Sequence, residues 1–388
     1  MHNCSSRGNG GSISAVNFTQ IGGVVKLERS RADLGGSLWS QDMTLVNGSF
    51  RVQGSFSNGG GGGLTVEENL EHHGGTLELR DCVVQHRLNA HGGCVRTEKY
   101  VQTGGVALFQ NCRAVATRRL VGESQGGAIF TGSFIQTGGL AIFKDSRVQS
   151  VQKKGDGGGI FADQQIKQHG GRLTFQNCSA PRVGGAVAVK QFDVTQREFV
   201  WVQSEDAVAS FDGCIAGRSG GAVYSSAKMS LLGRMTFHNS SSDRKGGALR
   251  AMRGLSATSL SFSQCYSAQP GAALAAGGDV EVQEATFEAC NSEMLSVVMY
   301  VEGNLTAGRL NITGVASDRA SDQHVAVGGG ALVGSLKCAH VSSCDISAVQ
   351  EDPKLQEMAV ALWDLQMQQQ ENQENKGDLS NLLIFFSG

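Results

Sequence analysis

A segment that recurs every 25 to 36 residues is the feature that most limits how this 388-residue chain can fold. Three copies read GGVALFQNC (104–112), GGLAIFKDS (138–146) and GGRLTFQNC (170–178). A period of this length is the signature of a solenoid, in which each repeat is one structural unit that stacks on its neighbours. The length of the chain therefore counts repeats rather than globular domains.

The last residue of the segment is small, and aligning the copies on it gives one column. Its thirteen positions are Cys4, Ser30, Ser55, Cys82, Cys112, Ser146, Cys178, Cys214, Ser240, Cys265, Cys290, Val315 and Cys344. The residues three and five places earlier are apolar, and the residue between them is mostly polar, which predicts a strand with one buried face. Three places before the small residue stand Phe109, Phe143, Phe175, Phe211, Phe237, Phe262 and Phe287. We predict that these phenylalanines and the small column form the structural ladder of the core.

A second strand follows each small residue after a turn and opens with glycines, as in GGAIF (126–130), GGAVY (220–224) and GGALR (246–250). Short strands of this kind cannot bury an apolar face alone, so the repeats must stack. The prediction is an all-β fold, a single-stranded parallel β-helix of about 13 rungs and roughly 60 Å. The crossover rule favours right-handed coiling. Residues 1–348 form this repeat domain.

The two ends differ from the repeat. The chain opens in mid-rung, which motivates the hypothesis that it is a fragment of a longer protein with a secretion signal upstream. Asp352 and Pro353 resemble the start of a helix, and apolar residues at three- and four-residue spacing follow them. Residues 349–388 are therefore predicted to hold a short capping helix and a polar, mobile tail.

Composition and charge exclude several classes of partner and of structure. The formal net charge is -2 and the basic residues are scattered along the chain, so no footprint for nucleic acid is visible. No run of 18 apolar residues occurs, which excludes a membrane-spanning helix. Glycine contributes 54 residues and proline 3 without a three-residue period, so neither collagen nor proline-rich disorder fits.

The cysteine column places eight of the ten cysteines on one ladder. Its neighbouring pairs are Cys82 and Cys112, Cys178 and Cys214, and Cys265 and Cys290. Stacked rungs bring Cα atoms to about 4.8 Å, which allows disulfides, but parallel Cβ vectors strain them. We interpret the cysteines as small buried residues that share the column with serine, and leave these disulfides as the alternative. A linear ladder offers no tetrahedral zinc site.

Two further groups of residues invite a metal. Asp81, Asn111, Asp145 and Asn177 precede the small column on consecutive rungs and form a polar ladder whose oxygens suit calcium. Asn and Asp also tolerate left-handed turns, and we prefer that interpretation. The histidines at positions 72, 73, 86 and 91 surround Cys82 and Cys94, but their spacing matches no ligand pattern. The sequence assigns no catalytic, cofactor-binding or metal-ligating residue.

The motif F-x-x-[small] followed by G-G-A-[I/L/V] resembles the repeat of chlamydial polymorphic outer-membrane proteins, over about residues 1–345. The family motif is F-x-x-N, whereas this chain places Cys or Ser at the fourth position. The resemblance implies the β-helical passenger of a surface adhesin, exposed on the cell surface. Seven N-x-[S/T] sequons also suit a secreted protein. They lie at Asn3, Asn17, Asn47, Asn177, Asn239, Asn304 and Asn311.

The function we expect is non-catalytic adhesion or ligand display outside the cell, with a glycan or a protein as partner. Its contacts are predicted in the three longest turns, 83–91, 113–125 and 191–206, because loops on a rigid scaffold commonly carry binding. One alternative is a polysaccharide lyase or glycoside hydrolase of the pectate-lyase-like type, with Asp81 and Asp145 as its carboxylates. The other is a purely structural wall or matrix protein.

Overall fold

The computed structural model describes residues 1–117, 123–190, 200–293, 297–314 and 325–328, and the backbone of 331–339 and 346–348. This part of the chain is an all-β parallel solenoid of about eleven turns without a helix. The expected count was about 13 because the column began with a partial turn at Cys4 and ended with Val315 and Cys344. Those last two positions and the predicted capping helix lie outside the described residues.

Each turn presents up to four strand columns, which we call A, B, C and D in chain order. Column A follows the glycine pair, column C carries the phenylalanine, and column D follows the small residue. In the first six turns A and B form one strand. These strands are Ile13–Gln20, Leu38–Leu45, Leu64–His72, Val95–Gln102, Ile129–Gln136 and Ile160–Gln168. Column C of these turns comprises Val24–Glu28, Ser49–Gln53, Thr76–Arg80, Val106–Gln110, Leu140–Lys144 and Arg172–Gln176.

The strand breaks move in the second half of the solenoid. The seventh turn has separate A, B and C strands, Val187–Val189, Trp201–Gln203 and Val208–Asp212. Later A strands are Val223–Ser225, Leu249–Ala251, Leu274–Ala276, Met299–Val301, Val325–Val327 and Ile346–Ala348. B and C are then continuous, as Met229–His238, Leu255–Ser263, Val280–Glu288, Leu305–Thr313 and Ala331–Ala339. Columns A, B and C together form one sheet of 26 strands.

Column D forms a second sheet of ten short strands. They are Arg31–Ala32, Phe56–Ser57, Val83–His86, Arg113–Ala116, Arg147–Ser150, Ser179–Ala180, Ile215–Ala216, Ser241–Ser242, Tyr266–Ser267 and Asn291–Ser292. A three-stranded sheet of Asn89–His91, Glu123–Gln125 and Gly155–Asp156 lies between D and A. Every strand pair is parallel and joins equivalent residues of successive turns, as Phe143 with Phe175. Equivalent side chains therefore stack.

Glycine pairs make the corner between B and C in the early turns. Gly105 has a φ of 69°, a region that residues with a Cβ rarely adopt. A Cβ at this position would lie 2.5 Å from the carbonyl oxygen of Gly75 in the turn below. The corner therefore requires glycine both for its backbone conformation and for the close approach of neighbouring turns.

The lumen is filled by ladders of apolar side chains. The seven phenylalanine rings of column C, from Phe109 to Phe287, are all buried and stack with centroids 4.7 to 5.2 Å apart. Eight successive small residues of the structural ladder are no more than 1% exposed, namely Cys82, Cys112, Ser146, Cys178, Cys214, Ser240, Cys265 and Cys290. Stacked aromatic pairs contribute about 0.5–1.5 kcal/mol each beyond the area they bury. The lumen is thus a packed core and leaves the outer faces for function.

Candidate functional site

The polar ladder is a column of left-handed turns at the corner between C and D. Asp81, Asn111, Asp145 and Asn177 have φ between 51° and 54°. Asn111 Nδ2 donates to Asp81 Oδ1 at 2.6 Å, and Asn177 Nδ2 donates to Asp145 Oδ1 at 3.2 Å. The aspartate oxygens thus accept within the ladder, while Asn111 Oδ1 accepts hydrogen bonds from the Arg113 guanidinium. In the described residues no group of three or more His, Cys, Asp or Glu is arranged to hold a metal ion.

The cysteine ladder contains a disulfide that the sequence reasoning missed. Cys112 is bonded to Cys94, with Cα atoms 5.3 Å apart. It is not bonded to Cys82, its stacked neighbour in the preceding turn. Cys94 takes the alanine place of the G-G-A motif and faces Cys112 across the lumen, where the two Cβ atoms converge instead of running parallel. Serines occupy the same two places two and three turns earlier, where Ser37 Oγ lies 2.5 Å from Ser55 Oγ and Ser12 Oγ lies 2.6 Å from Ser30 Oγ. The repeated separation of 18 residues was the available signal.

The other ladder cysteines are buried thiols. Cys82, Cys178, Cys214, Cys265 and Cys290 form no disulfide. Burial raises the pKa of the Cys82 thiol to about 12, so this thiol stays protonated at neutral pH. Because the thiolate is the reactive form, the Cys82 thiol is inert.

The histidine cluster of the sequence is dispersed by the fold. His72 points into the lumen, where burial lowers its pKa. His73 bonds Thr103 on the outside, at 3.0 Å. His86 Nδ1 accepts the backbone N–H of Asn89 at 3.0 Å, and the ring of His91 packs 4.5 Å from that of Phe130. These four side chains therefore do not form a common site.

A buried glutamine ladder was not foreseen. Gln102, Gln136, Gln168 and Gln203 end the B strands of four successive turns and are fully buried. The Nε2 of each of the last three donates to the Oε1 of the preceding glutamine, at 3.1 to 3.2 Å. The signal was a glutamine two residues before the glycine pair, as in QTGG at 102–105. The ladder links successive turns at the end of column B.

The outer side of column A presents an unusual set of residues, which we call the A face. The second residue of each A strand points away from the lumen, whereas its neighbours, such as Leu249 and Ala251, belong to the main core. From the fifth turn these outward residues are Phe130, Phe161, Ala188, Tyr224, Arg250, Ala275 and Tyr300. Phe161 is fully buried and belongs to a separate outer cluster with Val183 and Ala188. The A face therefore has an aromatic floor, against which Phe130 and Tyr224 also pack.

A buried ion cluster borders this floor. The carboxylate of Asp156 has no exposed side-chain surface. Arg182 Nε donates to Asp156 Oδ1 at 2.8 Å, and Arg182 NH2 and Lys190 Nζ reach Oδ2 at 2.5 and 2.6 Å. Burial lowers the pKa of Lys190, and the carboxylate opposes this shift. Glu123 also lies within electrostatic range of both cations, so two carboxylates face the two cations of this cluster.

A second ion cluster lies on the A face three turns further on. The Arg250 side chain is only 8% exposed, and its NH2 donates to Glu302 Oε1 at 3.3 Å. Lys245 Nζ lies 3.2 Å from the same oxygen and 4.2 Å from the centre of the Tyr300 ring. Tyr224 lies within electrostatic range of Asp156, Arg182 and Arg250. It therefore connects the two clusters into one surface.

Two carboxylates mark the edge of the A face toward column B. Glu98 Oε1 accepts Gln164 Nε2 at 3.0 Å and would lie 2.6 Å from a Cβ at Gly132. Asp163 lies in a bulge two turns after Glu98, and its buried Oδ1 has no hydrogen-bond partner among the described residues. Burial, and secondarily the charge of Glu98, raise the pKa of Asp163 to about 6. A proton-binding carboxyl thus lies near an acidic neighbour.

The three long turns have different structures. Residues 83–91 form the strands Val83–His86 and Asn89–His91, and 113–125 form Arg113–Ala116 and Glu123–Gln125 around residues that the structure does not describe. Of 191–206, only 200–206 are described, and they begin column B. The first two turns are therefore largely part of the scaffold.

No helix in the described part of the chain is long and apolar enough to cross a membrane. No protein-family model, curated protein or solved structure matches this chain. Its function must therefore be argued from its own residues.

Proposed function

We propose that this protein is a non-catalytic extracellular rod that binds a glycan or protein ligand along the A face. The observation that carries the proposal is the row of aromatic and charged side chains along the outside of column A, beside the two ion clusters. Binding surfaces commonly combine aromatic rings with a few well-placed polar groups. A rigid solenoid presents such a row as a continuous strip, as repeat proteins generally do.

An extracellular location is supported by the disulfide between Cys94 and Cys112. Disulfides persist in oxidising compartments and are rare in the cytosol. The exposed sequon asparagines Asn17, Asn47 and Asn304 agree with secretion. The resemblance to polymorphic outer-membrane proteins implies a location at the cell surface, and this location is likewise part of the proposal.

The test is a binding screen of the purified chain on immobilised glycans and proteins, with reducing-end and unsaturated-product assays in parallel. The Tyr224→Ala, Tyr300→Ala variant removes two rings from the A face, and Tyr266→Ala removes a half-buried ring from column D as the matched control. We expect binding without product, lost only in the A-face variant. Equal binding by all three proteins would place the ligand elsewhere and overturn the proposal.

A second candidate, a carbohydrate-active enzyme, is favoured by Glu98 and Asp163 rather than by Asp81 and Asp145. Asp163 has the raised pKa of a general acid, and Glu98 supplies a second carboxylate. They lie two turns apart, roughly 9.6 Å along the axis, near the upper end of the range of about 6.5–9.5 Å for inverting hydrolases. Product that disappears in the Asp163→Asn, Glu98→Gln variant would establish this function.

A further inference from the structure

A group of aliphatic side chains lies on the outside of columns B and C, in the fourth and fifth turns. Three columns of outward side chains run along this surface, and in these two turns all three are aliphatic. The six residues, which we call the aliphatic patch, are Val101, Val106, Leu108, Ile135, Leu140 and Ile142. In every other turn within the described residues, at least one of the three columns carries a polar residue. All six residues lie outside the hydrophobic core that the described residues form.

The patch is contiguous because its three columns are in register. Each residue of the fourth turn pairs with its counterpart in the fifth, as Leu108 pairs with Ile142. Columns B and C belong to one sheet and run as single strands from the eighth turn onward, so the six side chains share one surface that bends at the glycine corner. Val106 is 39% exposed, and the other five are partly exposed. Contiguous exposed apolar surface of this kind commonly marks an interaction site.

Opposite charges flank the patch along the solenoid axis. In column B, Glu71 of the third turn precedes the patch, and Lys167 of the sixth turn follows it. In column C the flanking residues are Glu78 and Arg172. Glu78 is already paired with two arginines, so the acidic flank rests mainly on Glu71, whose side chain is 42% exposed and lies 3.2 Å from the ring of His73. The order along column B is thus acidic, aliphatic, aliphatic, basic.

This order is complementary to itself when it is reversed. A two-fold axis parallel to the strands, placed between the fourth and fifth turns, reverses the order of turns in a second copy and keeps each column opposite itself. It places Val101 of one copy opposite Ile135 of the other, and Glu71 opposite Lys167. A two-fold axis parallel to the solenoid would instead bring like charges together at both ends. A two-fold interface requires a surface that is complementary to itself, and the antiparallel arrangement meets this requirement.

We propose that two copies of this chain pair through the aliphatic patch, with antiparallel solenoid axes, and form a two-fold dimer. The patch and its flanks cover four turns and eight strand residues, roughly 20 Å by 25 Å, or about 500 Å². Each partner of a stable complex buries roughly 800 Å², so the dimer is weak and transient. The inference goes beyond the proposed function, because it concerns columns B and C and does not depend on ligand binding at the A face.

The first experiment is sedimentation equilibrium of the full chain from about 1 to about 200 μM, a range suited to a small interface. The test variant is Leu108→Ser, Ile142→Ser. The matched control is Ile21→Ser, Val24→Ser, which removes two aliphatic side chains of the first turn that are 75% and 74% exposed. Circular dichroism and thermal melting establish that each variant is folded.

We expect the native chain to dimerise within this range and the control to match it. The dissociation constant of the test variant should be at least about fifteenfold higher, because each of the four side chains removed per dimer contributes a factor of about 2–5. A chain that is monomeric at every concentration, or equal losses in the test variant and the control, would overturn the inference.

The second experiment tests the antiparallel arrangement and leaves the aliphatic patch unchanged. Lys167→Glu places two glutamates opposite each other at both ends of the interface, so the dissociation constant should rise about fivefold or more. The double variant Glu71→Lys, Lys167→Glu exchanges the two charges, and its dissociation constant should return to within about twofold of the native value. No weakening in Lys167→Glu, or a weakening that the double variant does not reverse, would refute the antiparallel pairing.

Discussion

The buried glutamine ladder gives a prediction in which two equivalent substitutions have different effects. Methionine in place of glutamine keeps the length of the side chain and removes its amide. In the native chain, Oε1 of Gln203 is the one ladder oxygen without a donor. In Gln136→Met, Oε1 of Gln102 loses its donor as well, so two ladder oxygens are then without a donor. In Gln203→Met, Oε1 of Gln168 becomes unpartnered, but the unpartnered oxygen of Gln203 is removed.

The two variants therefore differ by one buried acceptor without a donor. Such an acceptor costs about 1–3 kcal/mol, while the gain from burying methionine is the same in both and cancels. We expect the free energy of unfolding of Gln136→Met to lie about 1–3 kcal/mol below that of Gln203→Met. Urea unfolding followed by circular dichroism measures this difference. Equal free energies would refute the view that paired amides stabilise the lumen.

The remaining predictions concern stability. Reduction of the disulfide between Cys94 and Cys112, which closes a loop with a separation of 18 residues, should lower the free energy of unfolding by about 3 kcal/mol; in Cys94→Ser, adding reductant should change nothing. Burial lowers the pKa of His91 to about 4. Below the pKa of the unfolded histidine, near 6.5, the unfolded chain therefore binds more protons than the folded chain, and the free energy of unfolding decreases as the pH is lowered. We expect a loss of about 2 kcal/mol between pH 7 and pH 5, and no such loss from this site in His91→Phe, measured by urea unfolding at each pH. Ala289 has a φ of 50°, so Ala289→Gly should raise the melting temperature, with a gain of about 0.5–1 kcal/mol; a lower melting temperature would contradict it.

The parallel solenoid was predictable because its physical requirements repeat in the sequence. The place before the small column must adopt a left-handed turn, and Asp, Asn and Gly recur there for that reason. The turn tolerates exceptions, since Arg29, Gln264 and Ala289 adopt the same φ. The stacked phenylalanines were visible because each occupies the same place in its repeat.

The contacts across the lumen were harder to predict. Strand periodicity states which side chains point inward, but it does not state which two columns face each other. Cys94 was therefore treated as an isolated cysteine, and Cys112 was compared only with its stacked neighbours. The serines at 12 and 30 carried the same 18-residue relation, but a hydrogen-bonded serine pair has no distinctive sequence signature.

The row of arginines that precedes the A strands was invisible for a related reason. Arg182, Arg218 and Arg244 are 36 and 26 residues apart, and these separations are meaningful only as the lengths of two particular turns. Because loops of different length close onto the same column, residues with no common spacing become neighbours about 4.8 Å apart. A solenoid thus converts scattered charges into an ordered row. Functional residues in such a fold should be sought by aligning positions turn by turn. Variation in turn length hides these residues in the sequence, but it has no effect on their register in the sheet.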